Sequence, residues 1–101
     1  MRMMVDIELP IEPFNTMVRD GTAGAAIQNI LADIKPEAIY FRERQGLRGC
    51  TMIVDMTETS QMPTIAEPFF LMFNAMVNFE PVMTPEDLAN SGLDALGKKY
   101  A

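Results

Sequence analysis

Residues 37–56 read EAIYFRERQGLRGCTMIVDM, and their parity decides the fold. Glu37 to Arg44 and Arg48 to Met56 both have strand character. Gln45–Gly46 between them is a two-residue turn of the kind that closes a hairpin. Such a turn sets Arg44 opposite Leu47, so Tyr40 falls opposite Thr51, Phe41 opposite Cys50 and Glu43 opposite Arg48. One face of the ribbon then carries Ile39, Phe41, Cys50, Met52, Val54 and Met56, with Glu43 and Arg48 at its rim. The other carries Tyr40, Arg42, Arg44, Thr51, Ile53 and Asp55. Turn geometry and hydrophobic alternation agree on one register, and a slip of one residue would reverse every assignment. The apolar face, Phe41 and Cys50 included, is expected beneath helices.

Upstream, Met3, Val5, Ile7 and Leu9 alternate with Met4, Asp6 and Glu8, a strand with one apolar and one acidic face that Pro10 ends. Pro13 suits the first turn of a helix, which the apolar stripes carry to Ile34, with a break at Asp20–Gly24 and closure at Lys35–Pro36. Downstream, Thr59 or Ser60 is the expected cap of a second helix with Pro63 in its first turn. Met62, Ile65, Ala66, Phe69, Met72, Phe73 and Met76 recur there at steps of three and four, and Pro68 is expected to kink the helix or split off its first turn. Asn78 to Thr84 reads as a fourth strand, placed at a sheet edge because Pro81 cannot donate to a ladder. Thr84 with Asp87 predicts a cap for a short helix from Pro85 to about Gly92, docked by Leu88, Leu93 and Leu96, with Lys98–Lys99–Tyr100 frayed. The order βαββαβ plus a tail predicts an α+β, ferredoxin-like domain over residues 1–101: four antiparallel strands, two main helices on one face and a short C-terminal helix.

Composition bounds the function. The chain has 101 residues and a mass of 11.3 kDa, room for one core. A net charge of −6 speaks against a phosphate-backbone binder, so no nucleic-acid partner is expected. The absence of His removes the commonest general base, metal ligand and haem ligand, and no metal or cofactor is expected. The lone Cys50 excludes an internal disulfide and fits a reducing cytoplasm. Asp6 and Glu8 interrupt any signal-like run, and Phe69 to Val77, the longest apolar stretch, is broken by Asn74, so no membrane partner is expected. The 10 Met residues fall mostly on periodic apolar faces, where they fill core space.

The segments FNTMVRDGTAG, KPEAIYF, AEPFFLMFNA and EPVMTPEDL resemble a small bacterial family without an assigned activity. The fold that this resemblance implies is similar to the dimeric α+β barrel superfamily, in which two ferredoxin-like sheets pack through their helix-free faces. That superfamily includes lactone isomerases, cofactor-free monooxygenases, haem enzymes and ligand-sensing domains, so fold alone does not choose among them. Its haem branch needs an axial His and its dehydrochlorinase-like branch a His with an Asp. Neither is available here, and no catalytic residue carries over.

The leading candidate site is the helix-free sheet face, holding Asp6, Glu8, Tyr40, Arg42, Arg44, Thr51 and Asp55. A row Glu8–Thr51–Tyr40 is expected, and Glu8, Tyr40, Arg42, Thr51 and Asp55 form the candidate ligand-binding set. The plainer reading of the same charges is a salt-bridged dimer interface. Asp20-Gly21-Thr22-Ala23-Gly24 has two glycines but no phosphate-loop spacing, and reads as a helix break. Cys50 reads as inert core. Glu12, Glu37, Glu58 and Glu67 read as solvated charges or helix-end electrostatics.

Three functions compete: a homodimeric module binding a small oxygenated or anionic molecule, a cofactor-independent isomerase or monooxygenase acting on a lactone or hydroxylated aromatic, and an assembly or accessory protein without a ligand. In the enzyme reading Tyr40 and Glu8 are the acid and base. A homodimer is expected because the open face would otherwise expose Met4, Tyr40, Leu47, Ile53 and Val82 among charges. An obligate interface of that kind buries on the order of 2,000 Å².

Overall fold

The computed structural model describes all 101 residues. Strand β1 (Arg2–Glu8) is followed by helices α1 (Ile11–Asp20) and α2 (Ala23–Ile34), the hairpin β2 (Ala38–Arg44) and β3 (Leu47–Asp55), helix α3 (Met62–Phe73) and strand β4 (Met76–Pro81). Two short helices, α4 (Pro85–Ala89) and α5 (Leu93–Lys99), end the chain. The strands form one antiparallel sheet in the order β2-β3-β1-β4, a ferredoxin-like α+β architecture. No helix is long and apolar enough to cross a membrane.

The hairpin has the register its parity dictates, with Tyr40 opposite Thr51 and Phe41 opposite Cys50. Gln45 and Gly46 both take positive φ, 53° and 79°. That is the type I′ geometry, whose twist matches that of the strands. Phe41 departs from expectation: it points to the helix side yet is 59% exposed. It forms part of a groove of about 410 Å³ lined also by Leu9, Phe14 and Ile27. Parity fixes the direction of a side chain but not whether anything covers it, and the helices leave this part of edge strand β2 open.

Inward-facing Met3, Val5, Ile7, Cys50, Met52 and Val54 supply the sheet's half of the core. Helix α1 takes up regular backbone at Pro13, since Glu12 is still extended (φ −112°, ψ 144°). The break after Asp20 is a built turn: Gly21 is left-handed (φ 81°), and Asp20 accepts hydrogen bonds from the Thr22 amide (3.0 Å) and hydroxyl (2.6 Å). Those bonds close the turn on itself, as a helix break rather than a phosphate loop requires. Helix α3 runs through Pro68 as one element and buries Ile65, Ala66, Phe69 and Phe73. Phe73 meets Phe14 edge-on with centroids 5.6 Å apart. Its entry is tied by Gln61, whose side-chain oxygen accepts from the Thr57 amide (2.8 Å) and the Glu58 amide (3.2 Å) around a 3₁₀ turn, in place of the expected Thr59 or Ser60 cap.

Three members of the expected apolar stripe, Met62, Met72 and Met76, lie outside the core. Met72 is 44% exposed, and Met76 is no longer helical. Asn74, in left-handed conformation, ends α3, so Met76 opens β4 two residues before the expected start and sits opposite Glu8 on the open side of the sheet. Val77 and Phe79 point inward, opposite Ile7 and Val5, and Pro81 lies at the end of this edge strand.

The C-terminal segment also corrects the reading. Thr84 and Asp87 cap α4 reciprocally, each amide donating to the other's side chain at 3.0 Å. Gly92 (φ 81°) then starts α5, a formed helix where fraying was expected. Leu88, Leu93 and Leu96 do not dock it: every residue from Pro85 to Ala101 is exposed. The molecule therefore measures 60 × 28 × 18 Å. Its radius of gyration is 17.2 Å, against roughly 13 Å for a compact chain of this length.

Phe69→Ala is expected to destabilise the fold by about 3–5 kcal/mol through cavity formation, and Met72→Ala by less than about 1 kcal/mol. Urea denaturation of both variants checks this, and equal costs would contradict the assignment of the α3 core face.

Candidate functional site

Period two in β1 sends Met4, Asp6 and Glu8 to the side that no helix covers. Asp6 lies opposite Thr51 on β3 and Asn78 on β4, and Thr51 lies opposite Tyr40. The row is thus Tyr40–Thr51–Asp6–Asn78. The expected carboxylate, Glu8, sits one row away, opposite Gly49, with Arg42 beyond. A shift of two residues keeps a side chain on its face, so alternation cannot detect it. The register is set instead by inner-face partners, Val5 with Met52 and Ile7 with Cys50, and by the Leu9 amide donating to the Arg48 carbonyl at 2.9 Å.

Asp6 is the hub of the face. One carboxylate oxygen accepts from Arg42 Nη2 and from the Thr51 hydroxyl (2.8 Å), and the other accepts from Arg44 Nη1 (2.7 Å). Asp6 and Arg42 are about a fifth exposed at their side chains and Arg44 half exposed. Burial pushes the Asp6 carboxyl up, but hydrogen bonds from Arg42, Thr51 and Arg44 outweigh it and hold it below the usual carboxylate range. Asp6 is therefore ionised at neutral pH and is an anchor for cations rather than a base.

Gly49 shapes the cluster. A Cβ there would stand 2.3 Å from the Ile7 carbonyl oxygen and 2.7 Å from Arg42 Nη1, so only glycine lets the guanidinium lie across β3. In that pose Arg42 Nε and Nη1 are buried without an acceptor. A buried donor left unmet costs roughly 1–3 kcal/mol, so the guanidinium is held at a cost by its Nη2 contact to Asp6.

Of the five residues expected to bind a ligand, the structure brings Tyr40, Arg42 and Thr51 together. Tyr40 is 74% exposed at the edge of the row. Glu8 faces the same side but makes no ion pair. Asp55 is separate: it lies opposite Arg2, four residues along β3 from Thr51, about 13 Å away at roughly 3.3 Å per residue. There it accepts from the N-terminal amine at 3.1 Å. The omissions from that set were Asp6, Arg44 and Gly49. A glycine inside a strand otherwise rich in bulky side chains was the available signal for the last.

The remaining candidates have structural roles. Cys50 is buried, and burial pushes its thiol up to about 11, the opposite of an activated nucleophile. Glu12 accepts from the Thr16 hydroxyl (2.7 Å) and amide (3.2 Å), and Glu37 pairs with Arg2 at 3.0 Å. Nowhere do three acidic or Cys side chains converge as a metal cage would require. Two guanidiniums on one carboxylate, with a hydroxyl and a phenol beside them, make a fixed cluster with a surplus positive charge.

Asp6→Asn is expected to destabilise the fold at pH 7 by about 3 kcal/mol, since it strands two cations around a neutral amide. Because the native carboxyl titrates below its unfolded value of about 3.9, its contribution is complete above that pH and is lost as pH falls through the native value. Denaturation of the native chain and the variant from pH 7 down to pH 2 should show the gap close on the acid side. A gap constant with pH would contradict the pairing. Compared with known protein families and with curated proteins, the chain matches none.

Proposed function

We propose that the chain is a homodimeric binding module in which the open sheet faces of two copies meet, as in a dimeric α+β barrel. It takes a small oxygenated, anionic molecule at the cluster of Asp6, Arg42, Arg44 and Thr51, with Tyr40 at the rim. One observation carries the reading: two guanidiniums share one carboxylate in the middle of a sheet face that no helix covers. Surplus charge drawn partly out of water is compensated by an incoming anion, and the exposed half of Arg44 offers it a first contact. Half-buried Met4 and Ile53, paired one row away, supply apolar surface beside the charges. Closing that surface against a second copy lowers the local dielectric and strengthens the cluster's hold on an anion. We place the module in the cytoplasm, where its single thiol stays reduced.

Proton-transfer chemistry has less to work with. Glu8 does not share a row with Tyr40, and Asp6, which does, is tied to two arginines. No acid and base face each other across the site.

Isothermal titration with benzoate, and separately with inorganic phosphate, tests the binding. At least one probe should bind, and Arg44→Gln should weaken it about 10- to 100-fold, the scale of a charge-assisted hydrogen bond. Neither probe binding, or affinity unchanged by Arg44→Gln, would contradict the site.

A further inference from the structure

A capped helical arm that leaves Leu88, Leu93 and Leu96 about half exposed is physically incomplete. Helix α5 is seven residues long and α4 is five. Isolated helices shorter than roughly 12–15 residues are marginal in water, and most helical stability in proteins comes from packing an apolar face. Yet α4 has a reciprocal cap, α5 starts at a left-handed glycine, and no residue of either helix is buried. Leu93, Leu96 and Tyr100 fall at steps of three and four along α5, one stripe with no surface under it. The arm that carries this stripe extends the molecule to 60 Å.

The molecule also has a vacancy of matching character. The groove of Leu9, Phe14, Ile27 and Phe41 lies beside β2, and Phe41 is a large apolar side chain left 59% exposed there. Arg48, the cross-strand partner of Glu43 in the same groove, lies over the Phe14 ring and donates to Asn15, so Glu43 at the rim is left without a salt bridge, while Lys98 and Lys99, beside the leucine stripe of α5, have no carboxylate partner. The arm leaves the sheet from β4, the opposite edge from β2, and runs away from its own body. Its own groove is thus on the far side of the sheet, whereas a second copy can present one to it.

Resting on the homodimer reading above, we propose that the C-terminal arm of each copy docks on the other. Leu93 and Leu96 enter the partner's groove against Phe41 and Ile27, and Lys98 or Lys99 meets the partner's Glu43. The exchange is reciprocal, so each dimer gains two such contacts, and each arm ends beside the strand that carries Arg42 and Arg44.

Cross-linking of the full chain tests this. One preparation carries Phe41→Cys and a second carries Leu96→Cys. Every preparation also carries Cys50→Ala, because position 41 stands directly opposite Cys50 and a thiol there lies within reach of it. After mixing and treatment with a short bis-maleimide, a two-chain band should form at least fivefold more strongly than in either preparation alone. The double variant Phe41→Cys/Leu96→Cys should likewise link chain to chain. Leu93→Glu/Leu96→Glu should weaken self-association at least tenfold in sedimentation equilibrium while leaving the β-sheet signature of the far-ultraviolet circular dichroism unchanged. Linkage within one chain of the double variant would overturn the proposal in favour of an arm folded on its own body. A dimer that neither cross-links nor responds to Leu93→Glu/Leu96→Glu would overturn the arm alone. A chain monomeric throughout would overturn both the arm and the dimer.

Discussion

A four-stranded sheet roofed by helices on one side has a second face that the hydrophobic core does not use. In this protein the constraint is sharpest on β1, a central strand with neighbours on both sides. Val5 and Ile7 are wholly buried under the helices, and Asp6 between them points the other way. The packing of two aliphatic residues therefore fixes where a carboxylate stands on the far side, to within the stiffness of a strand. The charged cluster of the open face is organised around that carboxylate: Thr51 from one neighbour, Arg42 and Arg44 from the strand beyond, and Gly49 where a side chain would bar the guanidinium's path.

The face is neither a core nor an ordinary wet surface. Met4 and Ile53 lie beside the charged cluster, and the cluster itself is only about a fifth exposed at Asp6 and Arg42. Charges in that setting are expensive to leave uncompensated and strong once compensated. The same tension recurs at the other end of the chain, where leucines are displayed on helices too short to stand alone. Both features are economical in a two-fold assembly, in which one copy covers what the other exposes.

Much of the fold was legible because period and parity are local signals. The Gln45–Gly46 turn set the hairpin pairing residue by residue, and the alternation of Met3 to Leu9 set the faces of β1. Long-range register was not legible. Whether Glu8 or Asp6 stands beside Thr51 depends on a two-residue offset that leaves the pattern unchanged and is decided by core packing. Coverage was not legible either. Phe41 and Met72 belong to apolar patterns yet remain exposed, because the helices do not extend over them. The boundary between α3 and β4 turned on Asn74 in a left-handed conformation, a role that its sequence context does not announce. At the site, residue types were legible and their bonding was not: Arg42 and Thr51 were expected on the face, but Asp6 as their common partner emerges only from the assembled sheet.

The claim that the open sheet face is a two-fold interface is tested most directly by sedimentation equilibrium at micromolar concentration, comparing the native chain with Ile53→Asp. Ile53 faces the open side between Met4 and Ala38, outside the charged cluster and outside the core. The native protein should sediment at twice the chain mass of 11.3 kDa and Ile53→Asp at the single-chain mass, with unchanged far-ultraviolet circular dichroism. A native chain that sediments as a monomer, or a dimer indifferent to an aspartate at position 53, would contradict the claim.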